Sequence, residues 1–114
     1  DQSNNNTILE NNISQNEFGI YLDGSDKNII YLNNFNLNTI NAYSYNSSNQ
    51  WSSDKEFNYL YRGIISWSSL GSFWHDYQGG DAFDSGIGTS AYVDEFIRDD
   101  RPLISMKENY KILK

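Results

Sequence analysis

Three aspartates, Asp76, Asp81 and Asp84, share one glycine-punctuated stretch that ends in Gly86-Ile87-Gly88. Carboxylates spread along a loop that glycine lets bend tightly are what calcium takes, since the ion collects six to eight oxygens. With backbone carbonyls these three make a weak calcium candidate. The plainer reading is a loop held by glycine turns and by aspartate bonds to its own backbone. His75, the one histidine of the chain, has neither cysteine nor a second imidazole beside it, and imidazole metal sites need partners. It reads as a surface or packing residue. Trp51, Trp67 and Trp74, among nine tyrosines, are candidates for stacking on a sugar ring, set against the plainer expectation that they fill a core poor in leucine. Asn5-Asn6-Thr7, Asn12-Ile13-Ser14 and Asn46-Ser47-Ser48 are N-glycosylation sequons, so Asn5, Asn12 and Asn46 are acceptor candidates. No pair of acids carries a glycosidase motif, and the separation on which such pairs depend is not legible in a sequence. Arg62, Arg98 and Arg101 all lie outside the repeating residues 1–49, which argues against a lyase with an arginine base. No catalytic residue is assigned.

The elements that must position these residues begin with a repeat. Offset by 22, Asp1-Gln2-Ser3 lies over Asp23-Gly24-Ser25 and Tyr45-Asn46-Ser47, Asn6-Thr7-Ile8 over Asn28-Ile29-Ile30, Asn12-Ile13 over Asn34-Phe35, and Ile20-Tyr21 over Ala42-Tyr43. A fixed period of this length marks a solenoid, in which each unit buries its apolar face by stacking on the next. Ile8, Ile13 and Ile20 are too irregularly spaced for one amphipathic helix and suit three short strands per turn. Asparagine is expected at the corners, in the left-handed conformation, with its amides bonding from coil to coil. The expected fold is all-β: a parallel β-solenoid of about two regular coils over residues 1–49, then atypical terminal coils and an aromatic, glycine-rich cap over 50–104 with its Gly/Asp loop at 76–89, then a tail, 105–114. Trp51 falls where a third coil would carry Thr7 or Ile29, so the regular repeat is expected to end there. Phe57–Tyr61 alternates as a strand with one wet face does, Arg62-Gly63 reads as a turn, and Ile64–Trp67 as a further strand.

Length implies one domain. The net charge of −7 disfavours nucleic acid, which needs clustered lysine and arginine. No apolar run reaches the length of a membrane span, and without cysteine the redox compartment is not legible. The chain opens in mid-repeat, so it reads as the C-terminal part of a longer solenoid, with residues 6–16 left as a coil edge. Upstream coils or a second subunit are expected to cover that edge, through the tail at Ile104–Leu113 in one version.

Asn12-Ile13-Ser14-Gln15-Asn16, Gly19-Ile20-Tyr21-Leu22, Ser25 and Asn28-Ile29-Ile30 resemble the parallel β-helix repeats of NosD-like proteins. The later segments Leu70-Gly71-Ser72-Phe73-Trp74-His75-Asp76-Tyr77, Gly86-Ile87-Gly88 and Asp99-Asp100-Arg101-Pro102-Leu103 are similar to the C-terminal end of such domains in archaeal cell-surface proteins. The resemblance implies a right-handed parallel β-helix on an exported protein. In relatives the glycine loop is richer in acids, where this chain has Phe83, Ser85 and Thr89. The expected role is a non-catalytic structural or assembly module of an extracellular archaeal surface protein or filament, glycosylated at its sequons. A carbohydrate-binding module with a glycan partner is the alternative. A remnant polysaccharide-degrading enzyme and a copper-related accessory protein stand behind both. No cofactor is expected beyond that calcium candidate.

Overall fold

A computed structural model describes residues 4–113, so the repeat match at Asp1-Gln2-Ser3 and the last residue, Lys114, lie outside the described residues. The chain is all-β, with one 3-10 turn at Lys107–Asn109. The first two 22-residue units each contribute three short strands: β1 (Thr7–Leu9), β2 (Asn12–Ser14) and β3 (Phe18–Asp23), then β4 (Ile29–Tyr31), β5 (Asn34–Asn36) and β6 (Ile40–Tyr45). Each strand pairs in parallel with its counterpart one period later, Ile8 with Ile30, Ile13 with Phe35 and Ile20 with Ala42. The 22-residue phasing and its inward columns therefore hold. The sheets are small, however, and of both senses, so the continuous parallel architecture covers only part of the chain.

The corners repeat with the same period. Positive φ occurs at Asn5 and Lys27, Glu10 and Leu32, Gln15 and Leu37, and Gly24 and Asn46. Contrary to expectation, asparagine takes the left-handed position at only two of these. Its usual place is the residue after it, at Asn6, Asn11, Asn16, Asn28, Asn33 and Asn38. There its amide spans the gap between coils. Asn33 accepts from the Asn11 N–H at 3.0 Å and donates to the Ile8 carbonyl at 2.9 Å. Asn38 does the same with Asn16 N–H and the Ile13 carbonyl. A side chain carrying both a donor and an acceptor satisfies the two backbone groups that a sharp corner would leave unpaired.

The third coil is split. Gln50 bridges Ile29, which moves Trp51 one column on from its expected place, to follow Ile30 rather than Ile29. Asn33 then meets Ser72 39 residues on rather than 22, so 17 extra residues are inserted within the turn. The insertion is a hairpin of β7 (Phe57–Tyr61) and β8 (Ile64–Ser68). Positive φ at both Arg62 and Gly63 gives the two-residue turn whose twist suits antiparallel strands. Ser53 and Leu70 close its base. The coil resumes at β9 (Phe73–Trp74), which lies parallel to β5, and Leu103 adds a further bridge to Phe73. A short antiparallel pair, β10 (Tyr92–Val93) and β11 (Arg98–Asp99), lies across the stack. The tail forms β12 (Tyr110–Ile112), antiparallel to β7. It is thus paired within its own chain.

Two apolar clusters result. The first runs through the coils as an aromatic column: Phe35 stacks on Trp74 at 4.3 Å and Trp74 on Tyr92 at 4.6 Å, close to the spacing of adjacent strands. The second lies between the coils and the hairpin, built on Leu32, Tyr59, Tyr61, Leu70, Leu103 and Tyr110. Leu32, a left-handed non-glycine residue, bears the strain of that conformation while its side chain is buried in this cluster.

Candidate functional site

The three aspartates of the glycine loop do not converge. Asp81 turns both carboxylate oxygens onto its own loop, accepting from the N–H of Ser85 at 3.0 Å and of Gly86 at 2.7 Å. Asp84 is exposed in a left-handed turn. Asp76 belongs to another network, accepting from Asn41 Nδ2 at 3.0 Å and from the Tyr92 hydroxyl at 3.3 Å. Among the described residues no three His, Cys, Asp or Glu side chains lie close enough to share an ion. Asp76 and Asp81 thus serve separate parts of the loop, and Asp84 stands apart from both. Burial pushes the Tyr92 hydroxyl well above the ordinary tyrosine range, helped by the neighbouring Asp76 charge, so it stays a donor.

The tryptophans separate by exposure. Trp51 and Trp74 are buried in the core, and no external sugar reaches their faces. Trp67 alone of the three is exposed, at 57%, with its indole N–H on Glu56 at 2.7 Å. Asn5, Asn12 and Asn46, the sequon asparagines, are exposed, and Asn12 also accepts from Asn34 Nδ2 at 2.7 Å. Arg98 pairs with Asp100 at 2.8 Å in solvent. The hollow that Arg98 shares with Arg101 contains Asp100 as its one acid, which gives no acid pair for sugar chemistry.

Sequence reasoning assigned no role to Asp99. The side chain is wholly buried. Oδ2 accepts from the Ser72 N–H at 2.9 Å and the Trp74 indole at 2.8 Å, and Oδ1 accepts from the Arg101 N–H at 2.9 Å. Burial raises its pKa to about 6 against these three donated bonds. Gly71 is the complementary residue, for a Cβ there would collide with both Asp99 oxygens. The spacing of Gly71, Ser72 and Trp74 holds no hint of a distant acid, so this joint had no local signal. Also unforeseen was a ladder on the outside of β3 and β6: Tyr21 stacks on Tyr43 at 4.8 Å, Phe96 packs on Tyr43 at 4.6 Å, and Tyr45 stands alongside.

The coils and this resumed third turn define a class of all-β protein built on parallel strands repeating every 22 residues. The family model described as periplasmic copper-binding protein (NosD) matches residues 1–79, which reach through the split coil, and the chain belongs to that family. No curated protein and no solved structure matches it. The copper of the family description does not fit the donors present. The chain has one histidine, one methionine and no cysteine. The His75 Nδ1 accepts from the Leu37 N–H at 3.1 Å, so only its other nitrogen is open to a metal. Copper sites draw on several imidazole or sulfur ligands, and these residues supply no such set. No helix among the described residues is long and apolar enough to cross a membrane.

Proposed function

We propose that this chain is a non-catalytic structural module of an exported surface protein, a right-handed β-helical end unit on which further coils stack. The supporting observation is the state of the first coil. Ile8, Ile13 and Ile20 are only half-buried, while Ile30, Phe35 and Ala42, the residues paired with them, are fully buried. Among the described residues β1, β2 and β3 each pair on one side alone. An apolar layer edged by unpaired backbone is a template for another coil, supplied by upstream sequence of an archaeal surface protein or by a neighbouring subunit in a filament. On such an exported protein the three exposed sequons would carry glycans. At the other end the hairpin and the glycine loop pack on Leu32 and Tyr31 of the second coil, and in this reading residues 50–104 act as the cap.

The test is to fuse a second copy of residues 6–27 ahead of the chain. The added coil should raise Tm and unfold together with the rest, because it completes the three columns. A separate low-temperature transition, or no change, would defeat the reading.

A carbohydrate-binding role draws on the exposed Tyr21 and Tyr45 beside Tyr43. Sugars stack on ring faces, and here Tyr21, Tyr43 and Phe96 already cover one another's faces. Titration with soluble polysaccharides, followed by tyrosine fluorescence, is expected to show no saturable change.

A further inference from the structure

Among the described residues the inserted hairpin leaves one strand edge free. In the sheet β12–β7–β8, β8 lies at the margin. Its five residues, Ile64-Ile65-Ser66-Trp67-Ser68, include neither a charge nor a proline, the usual devices that blunt an edge. Ile64, Ile65 and Trp67 are 51%, 63% and 57% exposed. The direction of the backbone groups follows from the other side of the sheet. Leu113 N–H donates to the Asn58 carbonyl, so Asn58 and Leu60 face β12, and Phe57, Tyr59 and Tyr61 face β8. In an antiparallel pair the bonded positions alternate. Ser68, Ser66 and Ile64, paired with those three, are thereby used, and Ile65 and Trp67 turn their N–H and C=O outward.

We propose that β8 pairs antiparallel with β8 of a second copy of this chain, about a twofold axis at Ser66, extending the sheet from three strands to six. That register sets Ile65 opposite the second copy's Trp67, and the reverse, at just the positions whose backbone groups are free. It yields four main-chain bonds and two aromatic–β-branched pairs. Charge agrees with it. Glu56 leans across β8 to Trp67, and the antiparallel register brings the second copy's Arg62 turn towards that carboxylate at each end of the joint. Beside the β8 edge runs an open groove of about 410 Å³, walled by Phe83, Thr89 and Arg101. Phe83 is 82% exposed. Ile64 of the second copy falls opposite Ser68, on the face of that groove. This lateral joint is independent of the coil end, and it goes beyond the stacking role.

The chain contains no cysteine, which makes the register directly testable in this chain. At a twofold axis Ser66 faces itself in a non-bonded pair, where Cα atoms stand about 4.5 Å apart, within disulfide reach. Ser66→Cys should give a covalent dimer under mild oxidation. Ile65→Cys should give far less, because residue 65 faces residue 67. By sedimentation velocity the wild type should be a concentration-dependent dimer, and Ile65→Lys a monomer with unchanged circular dichroism and Tm. The coil-extended fusion should dimerise as the wild type does, which separates this joint from coil stacking. Monomer at every concentration, a dimer that survives Ile65→Lys, or equal cross-linking at 65 and 66 would overturn the proposal.

Discussion

The coils and the hairpin cap are both short strands around aromatic side chains, yet they are held by different means. In the coils one corner is solved once and reused: a left-handed residue, then an asparagine whose amide ties two turns together, every 22 residues. In the cap nothing repeats, and single residues carry the joint. Asp99 ties together Ser72, Trp74 and Arg101, and the Tyr110 hydroxyl accepts the N–H groups of Ile104 and Ser105. The difference teaches where damage should spread. A lost asparagine weakens one of several similar ties, whereas a lost Asp99 opens a joint between the resumed coil and the last turn that no second copy backs up.

The largest effect should therefore come from Asp99→Ala. It leaves two buried N–H donors, on Ser72 and Trp74, and the part-buried one of Arg101 without an acceptor, and a cost of about 3–5 kcal/mol is expected in urea unfolding. Gly71→Ala should act on the same joint from the other side. If either variant unfolds in one transition with its m-value kept, coils and cap form a single cooperative unit. Two transitions would break the comparison into two independent modules.

Within the coils, Phe35→Ala should cost about 3–5 kcal/mol, for it empties the centre of the aromatic column. Ile13→Ala, one coil nearer the open end, should cost about 1–2 kcal/mol, because that side chain is only half-buried. Equal losses at the two positions would show that the first coil is as well covered as the second. Asn33→Ala should fall between, at roughly 1–3 kcal/mol, since it strands the Asn11 N–H and the Ile8 carbonyl.

The smallest net effect is that of pH. Asp99 titrates at about 6 in the folded chain and near the ordinary carboxylate value when unfolded. Between those values the folded state binds the extra proton, so on this group alone stability rises as pH falls from about 6 to about 4. Glu108 runs the other way, because the Asn34 amide holds its pKa low, and its contribution is lost as pH falls. Chemical denaturation at pH 7 and pH 5 should thus show a shallow slope in the wild type. In Asp99→Asn the stabilising component on acidification should be absent.

How much was legible in the sequence follows the same division. Columns of isoleucine at a fixed offset reveal strand register, since side chains that stack must recur in step. Ile8 over Ile30 and Ile13 over Phe35 were readable for that reason. Alternation also marked Phe57–Tyr61 and the Arg62-Gly63 turn. The insertion was not readable as such. A hairpin within the third coil looks like the end of the repeat, and the resumption at Phe73–Trp74 shares no pattern with Asn34-Phe35 beyond one aromatic. Nor did Trp51 betray its column, because a single residue dropped before it shifts the phase. The separate duties of the loop acids were not legible for a different reason. Acids near in sequence were expected to converge, but Asp81 satisfies its own loop while Asp76 serves Asn41 and Tyr92.

Among the described residues the strands of the first coil pair on one side alone and its isoleucines are half-buried, so protection should be uneven along the stack. Amide hydrogen exchange on the intact chain measures this directly, residue by residue. Glu10 and Gln15, whose N–H groups bond forward from the first coil to the second, should exchange much faster than Leu32 and Phe73, whose N–H groups bond between the second and third. Protection that rises steadily from the first coil to the third is the predicted result. Protection as strong at Glu10 and Gln15 as at Leu32 and Phe73 would contradict it.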